Sequence, residues 1–425
     1  MRDRLAFYWN RIRERLWFKP LLVSVLSVAG AFLANAADTF GLDDRLPQVD
    51  AETNDSLLTI MASSMLVIAT FAVASMVSAY ASASSTATPR AFPLIVADDA
   101  SQNALSSFIG AFIFSLVALI AVKNNYYGDD GQFVLFSLTL LVFAWVVLTF
   151  VRWVDRIARL GRIGNVIDRV EAAAARSLER RRRQPTLRGR EQTGDPAGEP
   201  VCAERVGYVQ HVAVERLQEV AARADCRVAV TALPGTFATP DRPLFFLAGE
   251  ADADARSALR SAFRIDDERV FDEDPRFGLI VLSEIAARAL SPAVNDPGTA
   301  ISIIGTFVRL FEDWVRPGDG DHARSNGTTD GKEDGEACDR VSVPRLAVTD
   351  MFDDAFTAVA RDGAGTIEVQ VRLQKAFRAL AAMGDPALAA AARQHSQRAL
   401  AHAEQCLAIE DEIAIVRKLA LAGGD

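Results

Sequence analysis

The sequence predicts a membrane protein with four transmembrane α-helices, followed by an α+β cytoplasmic domain with a small β-containing subdomain and a C-terminal helical bundle. Four apolar stretches contain no charged residue, at positions 21–37, 57–83, 105–122 and 133–151. Each is long enough to cross a hydrocarbon core, which takes roughly 17 to 25 helical residues. Of the 425 residues, 24% are charged and the net charge is −9, so a sizeable soluble part must accompany the spans.

Basic residues lie at both ends of the membrane region. Residues 1–20 and the segment after position 151 are rich in arginine, whereas the loops 38–56 and 123–132 hold more acidic than basic residues. Because basic residues favour the cytoplasmic side, we expect a multi-pass protein of the bacterial inner (plasma) membrane with both termini in the cytoplasm and the lipid bilayer as a partner. Leu5, Trp9, Ile12 and Leu16 recur at helical spacing, which predicts an interfacial amphipathic N-terminal helix over residues 1–20.

An alternative interpretation makes the first apolar stretch a cleaved secretory signal. The Arg-rich start and the sequence Ala34-Asn35-Ala36 resemble such a signal. The region before the stretch is long for a signal, which favours a first span that is retained.

The spans hold no ionisable side chain. Proton-coupled pumps and voltage sensors need such groups inside the bilayer, so the sequence argues against both classes. Ser107, Ala111 and Ser115 recur every fourth residue in the third span. This spacing of small residues favours close helix packing, and the alternative is the lining of an uncharged pore in an oligomer.

The chain after the spans divides into five segments. We predict a cytoplasmic connector helix at 152–183, a linker at 184–200, an α+β cytoplasmic domain at 201–317, a disordered acidic insertion at 318–340 and a C-terminal helical region at 341–425. Apolar residues of the connector, including Leu160, Ile163 and Val170, fit either a short coiled coil in a homo-oligomer or a helix packed on its own domain. The run from Arg180 to Arg183 is interpreted as a solvated helix end because it is distant from the last span, and the alternative is binding to anionic lipid.

Secondary structure in the soluble part follows from residue patterns. Residues 206–212, 227–232 and 243–248 are strand-like and 213–224 are helical, while 350–361, 366–383 and 386–421 have helical spacing. The four cysteines form no C-x-x-C pair, which indicates reduced thiols. The absence of lysine between Lys123 and Lys332 excludes a biotin or lipoyl carrier, and no cofactor is predicted.

A polar cluster surrounds the sequence S-P-A-V-N-D-P. Asp296 stands directly before a proline, as a helix cap does, and Ser291-Pro292 repeats this pattern. One interpretation is that these residues only cap the starts of two helices. The other is a ligand or contact surface formed by Arg276, Ser291, Asn295 and Asp296, because the amides of helix starts attract anions and carboxylates hold cations.

Catalytic and metal signatures are weak. His395, His402, Cys406 and Glu410 fall on one helix face, but a single face usually supplies at most two ligands, so no metal site is predicted. No P-loop, HExxH, G-x-S-x-G or dinucleotide fingerprint is present, and no catalytic residue is assigned. The acidic balance argues against nucleic acid as a partner.

Three sequence segments resemble a known family. The run D-P-R-F-G-L-I-V-L-S-E-I-A-A-R-A-L-S-P-A-V-N-D-P-G-T-A, with G-Y-V-Q upstream and S-S-T-A-T-P-R after the second span, resembles a bacterial predicted inner-membrane protein family, domain of unknown function 2254. The resemblance implies this layout and no established activity. It carries no assigned catalytic residues, and the acidic insertion departs from the usual pattern.

The function that these patterns favour is a non-enzymatic sensing or scaffolding protein whose cytoplasmic domain binds an unidentified ligand or partner. The first alternative is an oligomeric channel or passive transporter gated by that domain. The second is a membrane-tethered, metal-dependent hydrolase that uses Asp274 and Asp296.

Overall fold

The chain forms two structural units, residues 1–166 and 167–425. The computed structural model describes residues 18–40, 47, 49–96, 99–160, 162–316 and 338–421. The predicted interfacial helix up to residue 17 and the predicted acidic insertion up to residue 337 lie outside the described residues.

The first unit is a helix bundle. Its elements are α1 (Phe18–Phe40), α2 (Ala51–Thr86), a 3-10 turn (Pro89–Ala91), α3 (Phe92–Val96), α4 (Asp99–Lys123) and α5 (Asp129–Leu160). Within the described ranges, three stretches are long and apolar enough to cross a membrane: Ala51–Ser82, Ser101–Lys123 and Asp129–Ile157. A shorter apolar segment, Pro20–Gly30, lies in α1. Three of the predicted spans are therefore confirmed as helices of membrane-spanning length.

The outer surface of this bundle is apolar. Side chains that are more than half exposed include Ile60, Val67 and Phe71 on α2 and Leu141, Trp145 and Val151 on α5. Soluble proteins rarely expose a contiguous apolar surface of this extent, whereas lipid tails accept it without cost.

Helix α4 forms the core of the bundle because it packs on α1, α2 and α5. Its Phe108 contacts Trp153 of α5 edge-on, with ring centroids 6.2 Å apart. Asn54 Nδ2 donates to Gln132 Oε1 at 2.7 Å and to Gln132 O at 3.0 Å, and both residues are buried. Polar groups inside a membrane protein need such internal partners, so this amide pair ties α2 to α5.

The second unit begins within α6 (Ile163–Arg183) and contains two sheets. In the described part of the chain the strands are β1 (Gly189–Glu191), β2 (Glu199–Cys202), β3 (Gly207–Val212), β4 (Arg227–Val230), β5 (Phe237–Ala238), β6 (Pro243–Ala248), β7 (Phe263–Asp266) and β8 (Cys338–Val343). One sheet has the order β1-β8-β4-β6-β2, with β8 parallel to β1 and β4 and the remaining pairs antiparallel. The other is antiparallel, with the order β5-β3-β7.

A shared apolar core joins the two sheets. Phe245 of β6 stacks on Phe263 of β7 with centroids 5.6 Å apart. Val228 and Val230 alternate with more exposed residues along β4, as strands with one buried face do. Helix α7 (Val214–Arg223) covers β4 and β8. The predicted strands and helix of residues 206–248 are thus confirmed within one or two residues.

The remaining helices form a second layer. They are α8 (Ala253–Arg260), α9 (Phe277–Ala289), α10 (Pro297–Val315), α11 (Val348–Asp362), α12 (Ile367–Ala381), α13 (Pro386–Cys406) and α14 (Glu410–Leu419). Phe307, Phe311, Phe352, Phe356 and Phe377 are fully buried, with neighbouring centroids as close as 4.6 Å. This aromatic cluster holds α10, α11 and α12 together.

The predicted linker at 184–200 is wrong, because β1 and the start of β2 lie within it. Both are edge strands, where proline and charged residues are tolerated, so their composition resembles a linker. Residues 338–340, predicted as the end of the insertion, belong to β8. Because β8 pairs with both β1 and β4, the segments 201–317 and 341–425 share one sheet.

Two predicted helices are interrupted. The connector predicted at 152–183 is split between α5, which ends at Leu160, and α6, which begins at Ile163. Gly164 is the second residue of α6, and glycine is a weak helix former. The last predicted helix ends at Cys406, so that Leu407, Ile413 and Val416 can pack together as one apolar cluster.

The connector packs on its own unit. Val170 and Ala174 of α6 are fully buried. Glu171 accepts hydrogen bonds from Arg309 of α10 at 2.7 Å. These contacts support the interpretation as a helix packed on its own domain, and homo-oligomerisation stays a prediction.

Candidate functional site

The D-P-R-F-G sequence begins α9, and its first residue is a buried carboxylate. Asp274 is 1% exposed and accepts hydrogen bonds from Arg269 Nε at 2.6 Å and from the N–H groups of Arg276 and Phe277 at 3.1 and 3.2 Å. Burial is the largest influence on this carboxyl and raises its pKa, whereas Arg269 and the two amides act in the opposite direction. Asp274 therefore fixes the start of α9.

The turn between β4 and β5 lies against this ion pair. Gly235 has φ +92°, a left-handed conformation that glycine adopts without strain. A Cβ at this position would overlap the Asp274 carboxylate and lie 2.7 Å from Arg269 Nη2. At this position the backbone of the sheet region thus lies directly against the start of α9.

Arg276 joins α9 to α11. Its guanidinium donates to Asp354 at 2.5 and 3.1 Å and to Asp350 at 2.6 Å. Burial acts to lower the pKa of Arg276, but the two carboxylates outweigh this and raise it. Arg276 is therefore a charged link between two helices whose donors are engaged by its own chain.

Gly278 allows α6 and α9 to touch. A Cβ at Gly278 would overlap the side chain of Ala174 in α6 and lie 2.9 Å from its Cα. Next to it, the Phe277 ring lies 5.3 Å from the Arg269 guanidinium, a cation–π distance. Each residue of the D-P-R-F-G sequence except the proline thus has a packing or bonding role that the structure shows.

The S-P-A-V-N-D-P sequence forms a tight turn between α9 and α10. Ser291 Oγ donates to Arg288 O at 2.7 Å, and the Asn295 N–H donates to Ser291 O at 2.9 Å. Asn295 has φ +50°, which asparagine tolerates better than most residues. Ser291-Pro292 opens this turn and not a helix, so the predicted second helix start is wrong there.

Asp296 caps α10, as its position before Pro297 predicts. Its carboxylate accepts hydrogen bonds from Thr299 N–H at 3.1 Å and Thr299 Oγ1 at 2.6 Å. The hydrogen bond from the Thr299 hydroxyl, the largest cause, and the one from its amide, the next largest, hold the pKa of Asp296 below its usual range. Val294 at the tip of the turn is 51% exposed.

The structure does not gather the predicted site residues. Arg276 precedes α9 and Ser291, Asn295 and Asp296 follow it, and the 13 residues of this helix span about 20 Å. Asp274 and Asp296, the pair considered for metal-dependent hydrolysis, likewise lie at opposite ends of this helix. Arg276 therefore belongs to one end of α9 and the exposed turn to the other.

The small residues of α4 pack inside the bundle. Ala111 and Ser115 are 4% and 0% exposed. Ser115 Oγ donates to Ala111 O at 2.7 Å, and Ser107 Oγ accepts a hydrogen bond from Trp145 Nε1 at 3.3 Å. These contacts agree with helix packing in one chain, and a pore in an oligomer stays a prediction.

The histidine face of α13 points into the aromatic cluster. His395 is 4% exposed, packs on Phe352 at 5.6 Å, and burial lowers its pKa to about 4. Cys406 at the end of the helix is exposed, and Glu410 lies on α14. Among the described residues no group of three His, Cys, Asp or Glu side chains is placed to hold a metal ion.

One cluster of polar residues is not predicted by the sequence. Arg181, predicted within a solvated helix end, is 4% exposed. It lies seven residues after Ala174, which is the helical spacing of a buried face, so periodicity could have revealed it. Its neighbour across a cavity, His211, pairs with Glu273 at 2.6 Å, a contact 62 positions apart that no local pattern signals.

Comparison with protein families gives a match over residues 13–379 to a family described as "Predicted membrane protein (DUF2254)". The chain belongs to this family. Its helices of membrane-spanning length agree with the family description.

Curated relatives match a smaller part of the chain. Uncharacterized proteins of Mycobacterium bovis and Mycobacterium tuberculosis are 33% identical over 111 residues, which is 25% of this chain and 21% of theirs. The chain thus aligns with about a fifth of the length of these relatives. No solved structure gives a significant match.

Replacing Gly278 with alanine tests the contact between α6 and α9. We expect Gly278→Ala to lower the free energy of unfolding by about 2 kcal/mol, because the added methyl group overlaps Ala174 and forces the two helices apart. Gly305→Ala in α10 is the control, since its Cβ would meet only Arg309 Nη1, at 3.8 Å, and alanine favours a helix by up to about 1 kcal/mol. The measurement is denaturant unfolding of the purified full-length protein. Equal stability of the two variants would contradict the contact.

Proposed function

We propose that the chain is a four-span protein of the bacterial inner membrane whose second unit has a non-enzymatic sensing or scaffolding role. The observation that carries this proposal is a difference between the two ends of α9. The charged residues at its start are engaged by their own chain, whereas the turn at its end presents an exposed apolar tip.

The fourth span in this proposal is α1. Its 23 residues would extend about 35 Å, which exceeds the roughly 30 Å of a hydrocarbon core. It packs on α4 and α5, and Phe32 lies edge-on to Tyr126 with centroids 6.1 Å apart. These contacts support a helix that belongs to the membrane bundle.

An even number of spans places both ends of the chain on the same side. The arginines before α1 and after residue 151 support the cytoplasmic side. A green fluorescent protein fused after Asp425 is expected to fluoresce, because it matures in the cytoplasm, and an alkaline phosphatase fusion there should be inactive. Active phosphatase would reverse the orientation.

The turn between α9 and α10 is suited to contact a protein partner. Its backbone is fixed by the hydrogen bonds of Ser291, Asn295 and Asp296, so little conformational entropy is lost on binding. Its tip, Val294, is 51% exposed and offers an apolar anchor. A rigid exposed loop without a charged group at its tip suits recognition better than chemistry.

Photocrosslinking from position 294 tests this surface. We expect p-benzoylphenylalanine in place of Val294 to give a discrete adduct in intact cells. The same residue in place of Ile415, which is 50% exposed on α14, should give none and serves as the matched control. A mass increase of 46.0 kDa would identify a second copy of the chain as the partner. Equal adducts from both positions, or none from position 294, would contradict the proposal.

A further inference from the structure

A cavity of about 400 Å³ lies in the second unit, between the C-terminal end of α6 and the junction of β3 with α7. Its lining includes Arg180, Arg181, Arg188, His211 and the first turn of α7. This volume falls within the roughly 300 to 1,000 Å³ of small-molecule pockets. None of the residues discussed above as a predicted site lines it.

The first turn of α7 presents unused donors to this cavity. The residue before the helix, Ala213, has no side chain that could cap it. The first backbone hydrogen bond of the helix runs from Leu217 N to Ala213 O, so the N–H groups of Val214, Glu215 and Arg216 have no acceptor within the helix. Such amides, at the positive end of a helix dipole, attract anions.

Arg181 supplies a second and independent observation. Its side chain is 4% exposed, and its Nη2 donates only to Pro344 O at 3.3 Å. Its Nε has no hydrogen-bond acceptor, and among the described residues no carboxylate pairs with it. Burial lowers its pKa to about 10, which leaves it charged at neutral pH. A buried guanidinium without a counter-ion is costly, and an anion in the cavity would remove that cost.

The charged side chains around the cavity, Arg181 included, leave a positive balance. Four arginines line it, at positions 180, 181, 188 and 216, against Glu215, Glu219 and Glu273. Arg188 holds Glu215 at 2.5 Å, and His211 Nδ1 lies 2.6 Å from Glu273. The hydrogen bond to Glu273 raises the pKa of His211 above its usual value. Of the three carboxylates, only Glu219 lacks a cationic partner among the described residues.

We propose that this cavity binds a small phosphate-bearing ligand, with the Arg181 guanidinium and the amides of α7 as donors to the phosphate oxygens. A phosphate dianion matches several convergent N–H donors, and guanidinium groups bind it through charge-assisted hydrogen bonds. The cavity has room for more than a bare phosphate ion, so a phosphate monoester of a small molecule fits it. The inference goes beyond the proposed contact surface and does not depend on it.

Isothermal titration calorimetry of the full-length protein in detergent tests this site. Inorganic phosphate and glycerol 3-phosphate are the two probes, with sodium chloride at equal ionic strength as the blank. We expect saturable binding of at least one probe, and tighter binding of glycerol 3-phosphate would identify a monoester as the ligand. Arg181→Met should weaken binding at least tenfold, because a charge-assisted hydrogen bond is lost. Arg183→Met, at an exposed arginine outside the lining, should leave binding unchanged.

A second variant guards against misfolding of the first. Glu219→Gln removes an exposed carboxylate from the cavity lining and should tighten phosphate binding severalfold, because it removes like-charge repulsion. Binding no stronger than the chloride blank would overturn the proposal. So would equal affinities of wild type, Arg181→Met and Glu219→Gln, since the probes would then bind elsewhere.

Discussion

The second unit depends on the neutralisation of one buried carboxylate, Asp274. An ionised carboxylate away from water needs a counter-charge and hydrogen bonds, and here Arg269 and two amides at the start of α9 supply them. This requirement brings the segment after β7, the turn at Gly235 and α9 together at one point. Arg276, two residues later, extends the same network to α11. The sheets and the helical layer are joined by this chain of charges.

Arg181 is the opposite case within the same unit. It is as deeply buried as a core residue, but among the described residues no carboxylate neutralises it. Asp274 is explained by the stability of the fold, whereas Arg181 is explained by a ligand that the chain itself does not provide. The same physical rule therefore separates a structural charged group from a binding one. The charged residues of the D-P-R-F-G motif are structural, because their partners lie within the chain.

The sequence predicts what depends on local pattern and misses what depends on distant partners. Hydropathy is sufficient to place α2, α4 and α5, and alternation is sufficient to place β3 and β6. The strand β1 is hidden because its pairing partner, β8, lies about 150 residues later, beyond the acidic insertion. Likewise, no local pattern shows that Arg276 is paired, because its partner Asp354 is 78 positions away. Only the cap at Asp296 could be predicted in detail, since its acceptor and donor lie three residues apart.

The central claim, that charge pairing at the start of α9 holds the helical layer together, is tested most directly by a double-mutant cycle. Arg276→Ala, Asp354→Ala and the double variant would be unfolded in denaturant as full-length protein. We expect a coupling energy of about 2 kcal/mol, because the side chains of Arg276 and Asp354 are only 31% and 13% exposed. The same cycle on the surface pair Arg361 and Asp362 should give a coupling energy below about 0.5 kcal/mol. A coupling energy for Arg276 and Asp354 no larger than for that surface pair would contradict the account.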